Sequence, residues 1–221
     1  MNFIAHAIAA VRSGRSSLHG FGAMMPDLAN MLRLPSPAVS GELEMGIRVH
    51  VATDKSFHEL PRFLQAQHSA RQHLRQQGVR RGSALALGHI GVEMMLETGF
   101  YQDAPTWSHY QDSLRSGLEW LNSSPVLWRH QDATERMHSL VGRLLEHSGD
   151  APTPERIAYG LERCVQGRSR LEITDADRPA VQAWVQTEMN GLANMAEAFM
   201  EETLMTLDKS LASSNSAKNA D

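Results

Sequence analysis

The chain has 221 residues, 42% of them hydrophobic and 21% charged, with a formal net charge of −4. That suits one domain with a real core, is globular rather than disordered in composition, and lacks the basic excess of a nucleic-acid or anionic-membrane binder. A single cysteine, Cys164, excludes an intramolecular disulfide and a cysteine-based zinc site, and points to a reducing compartment.

Helix formers dominate and alternating strand patterns are scarce, so the expected class is all-α: a single-domain helical bundle with a central metal site. NFIAHAIAAVRSG reads as a first helix, with Phe3, Ile4, Ala7 and Ile8 on its apolar face. That segment has no basic leader and meets Arg12 too soon for a signal or membrane span; no run of about eighteen apolar residues occurs elsewhere, and a cytoplasmic protein without membrane contact is expected. SLHGFGAMMPDLANML is a shorter helix made irregular by Gly20, Gly22 and Pro26. SPAVSGELEMGIRVHVATDKSFH opens as a helix capped by Ser36, with Pro37 in its first position and Glu42 and Glu44 toward its positive end. Pro61 bends or interrupts the helical run beyond His58, and LPRFLQAQHSARQHLRQQG is an amphipathic helix ending at Gly78.

GSALALGHIGVEMMLETGF is the most apolar helix and hence the expected centre of the fold. TWSHYQDSLRSGLEWL, SPVLWRHQDATERMHSLVGRLLEHSG, TPERIAYGLERCVQG and DADRPAVQAWVQTEMNGLANMAEAFMEETLMTL complete the helices. Trp107, Trp120, Trp128 and Trp184 read as core or lid, and His109, His130, His138 and His147 have no partner at ligand spacing. The expected organisation is one helical domain over residues 1–208 and a small, polar, disordered tail over 209–221.

Eleven histidines hint at metal or acid–base chemistry. His50, Asp54 and His58 recur every four residues, within an arc of about 80° but along roughly 12 Å of helix axis. One ion takes all three only if the helix bends, so the spacing suits Asp54 bridging two ions about 3.5–4 Å apart, with His50 and His58 toward opposite ends. His89 and Glu93 form a second i,i+4 pair among apolar neighbours, where an unpaired glutamate is costly. His6 and Asp27 bring the candidates to seven on four helices. The nitrogen and carboxylate set suits one or two divalent ions, manganese or iron first, with zinc and magnesium also admitted.

MNFIAH at the start, GAMMPDLANM around Asp27, GIRVHVATD around His50 and Asp54, the His89/Glu93 pair and GRSRLE at 167–172 together resemble the acyl carrier protein phosphodiesterases. That family is an all-helical branch related to the HD-domain metal-dependent phosphohydrolases, so the resemblance implies an HD-domain-like bundle. It implies a hydrolase that releases 4′-phosphopantetheine from acyl carrier protein, or cleaves another phosphodiester, with a divalent metal, typically manganese. His6, Asp27, His50 and Asp54 would belong to the metal site, which is expected between His50, Asp54, Asp27 and His89. His58, His89 and Glu93 stand where the family mostly has aspartates, which enriches nitrogen donors and moves metal preference toward iron or zinc. Glu93 or His58 would complete a second ion's shell or act as general base, and Arg168 and Arg170 would contact phosphate. Acyl carrier protein or a small phosphorylated compound is the expected partner; Arg71, Arg75, Arg80 and Arg81 supply a basic patch. Two other readings stay open: a di-iron oxygenase on the same kind of scaffold, and a non-catalytic all-α binding protein.

Overall fold

The computed structural model of the chain describes residues 3–35, 37–123, 131–146 and 151–218, the side chains of 131 and 208–218 excepted. Among the described residues the fold is all helical, without a strand. In chain order it comprises α1 (Phe3–Arg12), α2 (Ser17–Met31), α3 (Glu42–His58), α4 (Pro61–Gln76), α5 (Arg81–Glu97), a 3-10 turn at Thr98–Gln102, α6 (Ala104–Ser123), α7 (Gln131–Glu146), α8 (Pro154–Val165), α9 (Arg178–Ala193) and α10 (Ala196–Lys218). None of these helices is long and apolar enough to cross a membrane. The helices gather into two compact units, one of Met1–Phe57, Asp103–Asp150 and Met200–Asp221, the other of His58–Gln102 and Ala151–Phe199.

In the first unit α1 packs on α2 and α6, and α2 and α6 both pack on α7. Ser16 caps α2 by accepting the His19 N–H, and the helix runs through Pro26 without ending. Pro26 has no N–H for the Gly22 carbonyl four residues back, so the loss falls where α3 crosses. A Cβ on Gly46 would stand 2.4 Å from the His19 carbonyl oxygen, and one on Gly22 would stand 2.6 Å from that of Leu43. Only glycine on both helices lets α2 and α3 come this close, and that approach sets His50 against the α2 backbone.

In the second unit α5 packs on α4, α8 and α9, the central place its apolar composition predicts. Trp184 of α9, 1% exposed, closes over Gly91 of α5. Phe63 and Leu74 of α4 are fully buried, each worth roughly 1.5–3 kcal/mol of transfer free energy.

Three boundaries differ from the periodicity. The helix expected from Ser36 begins at Glu42, because Gly41 takes φ +65°, outside the helical region; Ser36 itself lies outside the described residues. The last long segment is two helices, broken at Asn194–Met195 among the weak helix formers Asn190, Gly191 and Asn194. Finally, α10 continues to Lys218, through most of the segment that composition alone reads as a disordered tail. Trp184 is core, Trp107 lies against Tyr110 with ring centroids 4.8 Å apart and planes tilted by 45°, and Trp128, His130 and His147 lie outside the described residues.

Candidate metal centre

The seven candidate ligands lie in two groups, one in each unit. The first group is built from α1, α2 and α3. One donor atom each from His6, Asp27 and His50 lies within 4.8 Å of the others. Asp54 stands beside His6, its Oδ1 3.8 Å from His6 Nε2, at the same distance as Asp27 Oδ2, though outside that mutually close set of three. The His6 and His50 rings lie together, centroids 4.0 Å apart.

The hydrogen bonds fix which nitrogen of each ring carries the lone pair. His50 Nδ1 lies 3.0 Å from the Ala23 carbonyl, which only accepts, so Nδ1 carries the proton and the Nε2 lone pair turns inward. Burial, the largest influence on His50, pulls its pKa below the ordinary histidine value despite the Asp54 carboxylate and the Ala23 bond, so the ring is neutral near pH 7. His6 is wholly buried, with Nδ1 2.9 Å from the Thr53 hydroxyl. Thr53 has one proton and gives it to the backbone carbonyls of Val49 and His50, so toward His6 it accepts. Both rings are therefore Nδ1–H tautomers, held from behind by oxygen acceptors, which is the orientation that metal-ligating histidines need. Asp27 and Asp54 keep 27% and 36% of their side chains exposed, so the side opposite buried His6 is open to solvent. Two oriented imidazoles and two carboxylates fit a divalent cation of the manganese, iron or zinc type.

The second group, His58, His89 and Glu93, is arranged differently. Its donor atoms also lie within 4.8 Å of one another, but Glu93 Oε1 stands at the middle, 2.8 Å from His58 Nε2 and 3.2 Å from His89 Nε2. Burial alone would raise the Glu93 pKa; the hydrogen bonds from His58 and His89 outweigh it and hold the carboxyl well below the usual carboxylate range. Glu93 is thus ionised and accepts from both rings. Behind His89, Arg71 donates to Gln67 Oε1 at 2.5 Å, which turns the Gln67 amide nitrogen toward His89 Nδ1 at 2.8 Å. Arginine has no acceptor, so this chain leaves His89 with its lone pair on Nδ1 and its proton on Nε2, facing Glu93. Two N–H donors aimed at one carboxylate make a proton-holding trio, and a cation there must first displace both bonds.

His6, Asp27 and His50 thus lie together with Asp54 beside His6, whereas His89, expected beside His50, is grouped with His58 and Glu93. Arg168 and Arg170 are exposed in the turn after α8, and among the described residues neither guanidinium bonds to a candidate ligand. Thr53, Gln67 and Arg71, which orient the rings, are not among the residues that spacing picks out for that role. Thr53 and Gln67 carry a signal all the same: each is a polar residue inside the buried stripe of its helix, Thr53 between Val49 and Phe57, Gln67 between Phe63 and Leu74. Compared with protein-family models, curated proteins and solved structures, the chain gives no match.

Proposed function

We propose that the protein is a metal-dependent phosphoester hydrolase on an HD-domain-like helical scaffold, with a primary ion held by His6, Asp27, His50 and Asp54. The observation that carries this reading is the shared tautomer of His6 and His50, each locked by an acceptor behind it. A divalent cation there would supply Lewis acidity at a phosphoryl oxygen and a water acidified toward neutrality. His6 and His50 orient the donor atoms, while Asp27 and Asp54 add negative charge and leave the exposed side for water and substrate. Glu93, ionised between His58 and His89, has the composition of a proton-transfer group or of a weaker second cation site. The expected substrate is a phosphodiester, with 4′-phosphopantetheine on acyl carrier protein as one candidate. Four histidines among seven ligands also favour iron, and the alternative reading is a di-iron oxygenase.

The test is elemental mass spectrometry of the purified chain beside an Asp54→Ala variant, then hydrolysis of bis(4-nitrophenyl) phosphate with added manganese. Metal lost in the variant, together with manganese-dependent hydrolysis, supports the proposal. Two irons per chain with oxygen consumption would replace it by the oxygenase. A wild-type chain that takes up no manganese, iron or zinc would leave a non-catalytic helical protein.

A further inference from the structure

An open groove of about 500 Å³ lies between α4 and the start of α5, within the second unit. Arg71, Arg75 and Arg81 line it, with His68 on α4 and Ala84 and Leu85 on α5. Among the described residues no aspartate or glutamate lines it, so three guanidiniums share one concavity without a counter-charge. Such a cluster repels itself unless an anion joins it.

Two of the arginines are also pre-set rather than loose. The Arg71 stem lies on Gly88, where a Cβ would stand 2.8 Å from Arg71 Cγ, and one end of its guanidinium is held by Gln67. Its Nε–H is buried and makes no hydrogen bond among the described residues, so a ligand in the groove reaches this guanidinium only through its terminal nitrogens. Arg75 is pinned by the Val79 carbonyl at 2.6 Å. Arg81 makes no hydrogen bond or ion pair among the described residues. It opens α5, whose first turn has no acidic residue, so the positive end of that helix adds to the field. Leu85, 52% exposed, gives the groove an apolar edge.

From this arrangement we propose that the groove binds a soluble phosphate monoester with a small apolar group, the phosphate on Arg71, Arg75 and Arg81 and the apolar group against Leu85. Fork-shaped guanidiniums match phosphate oxygens bidentately, and the fixed placement of Arg71 and Arg75 reduces the ordering that binding would otherwise require. None of the seven candidate metal ligands lines the groove, so this site goes beyond the hydrolase reading and stands without it.

The test is isothermal titration of the chelator-treated full chain with phenyl phosphate and with inorganic phosphate. Saturable binding is expected, tighter for phenyl phosphate. Arg81→Gln and Arg71→Gln should each weaken both ligands by about tenfold or more. Leu85→Ser should abolish the preference for phenyl phosphate and leave inorganic phosphate unchanged, and Arg115→Gln, an exposed arginine of the other unit, should change nothing. Arg81 has no side-chain hydrogen bond or ion pair to lose among the described residues, which keeps the test sound if Arg71→Gln unfolds. Absence of saturable binding, equal loss in Arg115→Gln, or no loss in Arg81→Gln would each overturn the proposal. So would arginine-dependent binding seen only with phosphatidic acid vesicles, which would make the groove a membrane-headgroup surface instead.

Discussion

His6 and His50 owe the direction of their Nε2 lone pairs to two acceptors behind the rings, the Thr53 hydroxyl and the Ala23 carbonyl. Thr53→Val keeps the volume of a fully buried side chain but removes the acceptor behind His6 Nδ1. The ring is then free to change tautomer, and affinity of the first group for manganese should fall about 10- to 100-fold, measured by titration of the folded variant. The stranded buried N–H should also cost about 1–3 kcal/mol in denaturant unfolding. In the second group the decisive neighbour is Gln67, whose amide is turned by Arg71. Gln67→Glu places a carboxylate against His89 Nδ1 while ionised Glu93 still faces Nε2, so both ring nitrogens must then carry a proton. Imidazole nitrogen shifts of His89 in nuclear magnetic resonance should report the new proton on Nδ1, and unchanged shifts would refute the assignment.

Among the helices, the α2–α3 crossing depends on the absence of a single side-chain atom at Gly46. Gly46→Ala would press a methyl group against the His19 carbonyl and the Ala23 nitrogen, both backbone atoms that cannot swing aside. A destabilisation of about 1–3 kcal/mol is expected, and because Ala23 also accepts from His50, metal uptake should fall with it. The start of α9 depends on a charge. Asp177 accepts from the Thr174 N–H and hydroxyl, and beside Arg80 these bonds outweigh burial, the largest single influence, to hold its carboxyl below the ordinary value. The contribution is complete above the unfolded pKa of about 3.9 and is lost as pH falls through the lower folded value. The stability difference between wild type and Asp177→Asn should therefore shrink as the solution is acidified below about pH 4, tracked by denaturant midpoints.

Across the molecule, the two groups of ligands should differ in strength for a reason that lies in their protons. The first presents lone pairs already; the second must give up two N–H bonds to an ionised carboxylate. Calorimetric titration with manganese should accordingly resolve one tighter and one weaker event, the first abolished by His50→Ala and the second by His58→Ala. A single event removed only by the His58 variant would reverse the order of the groups. Binding to the folded chain alone raises its stability by about 2.7 kcal/mol at a hundredfold excess over Kd, so a chelator should lower the melting temperature of the loaded protein and should move that of His50→Ala less, through the weaker group only.

The all-helical class and the placing of α1, α4, α5, α6 and α8 were legible along the chain, whereas the set of His6, Asp27, His50 and Asp54 is implied by the resemblance alone. Helical periodicity, caps such as Ser16 and Thr153, and breakers such as Pro61 and Gly78 act within a few residues of themselves, so the amino-acid order carries them directly. The pairing of His58 with Glu93, 35 positions apart, was not legible, nor was the proton on each ring. Spacing on α3 makes His50, Asp54 and His58 look like one row, because i,i+4 geometry says where side chains leave a helix and not what meets them. Their partners come from other helices, brought near by contacts such as Gly46 on α2 and Gly88 on α4. Those approaches exist only once the helices have packed. Periodicity is local; tautomers and counter-charges belong to the packed fold.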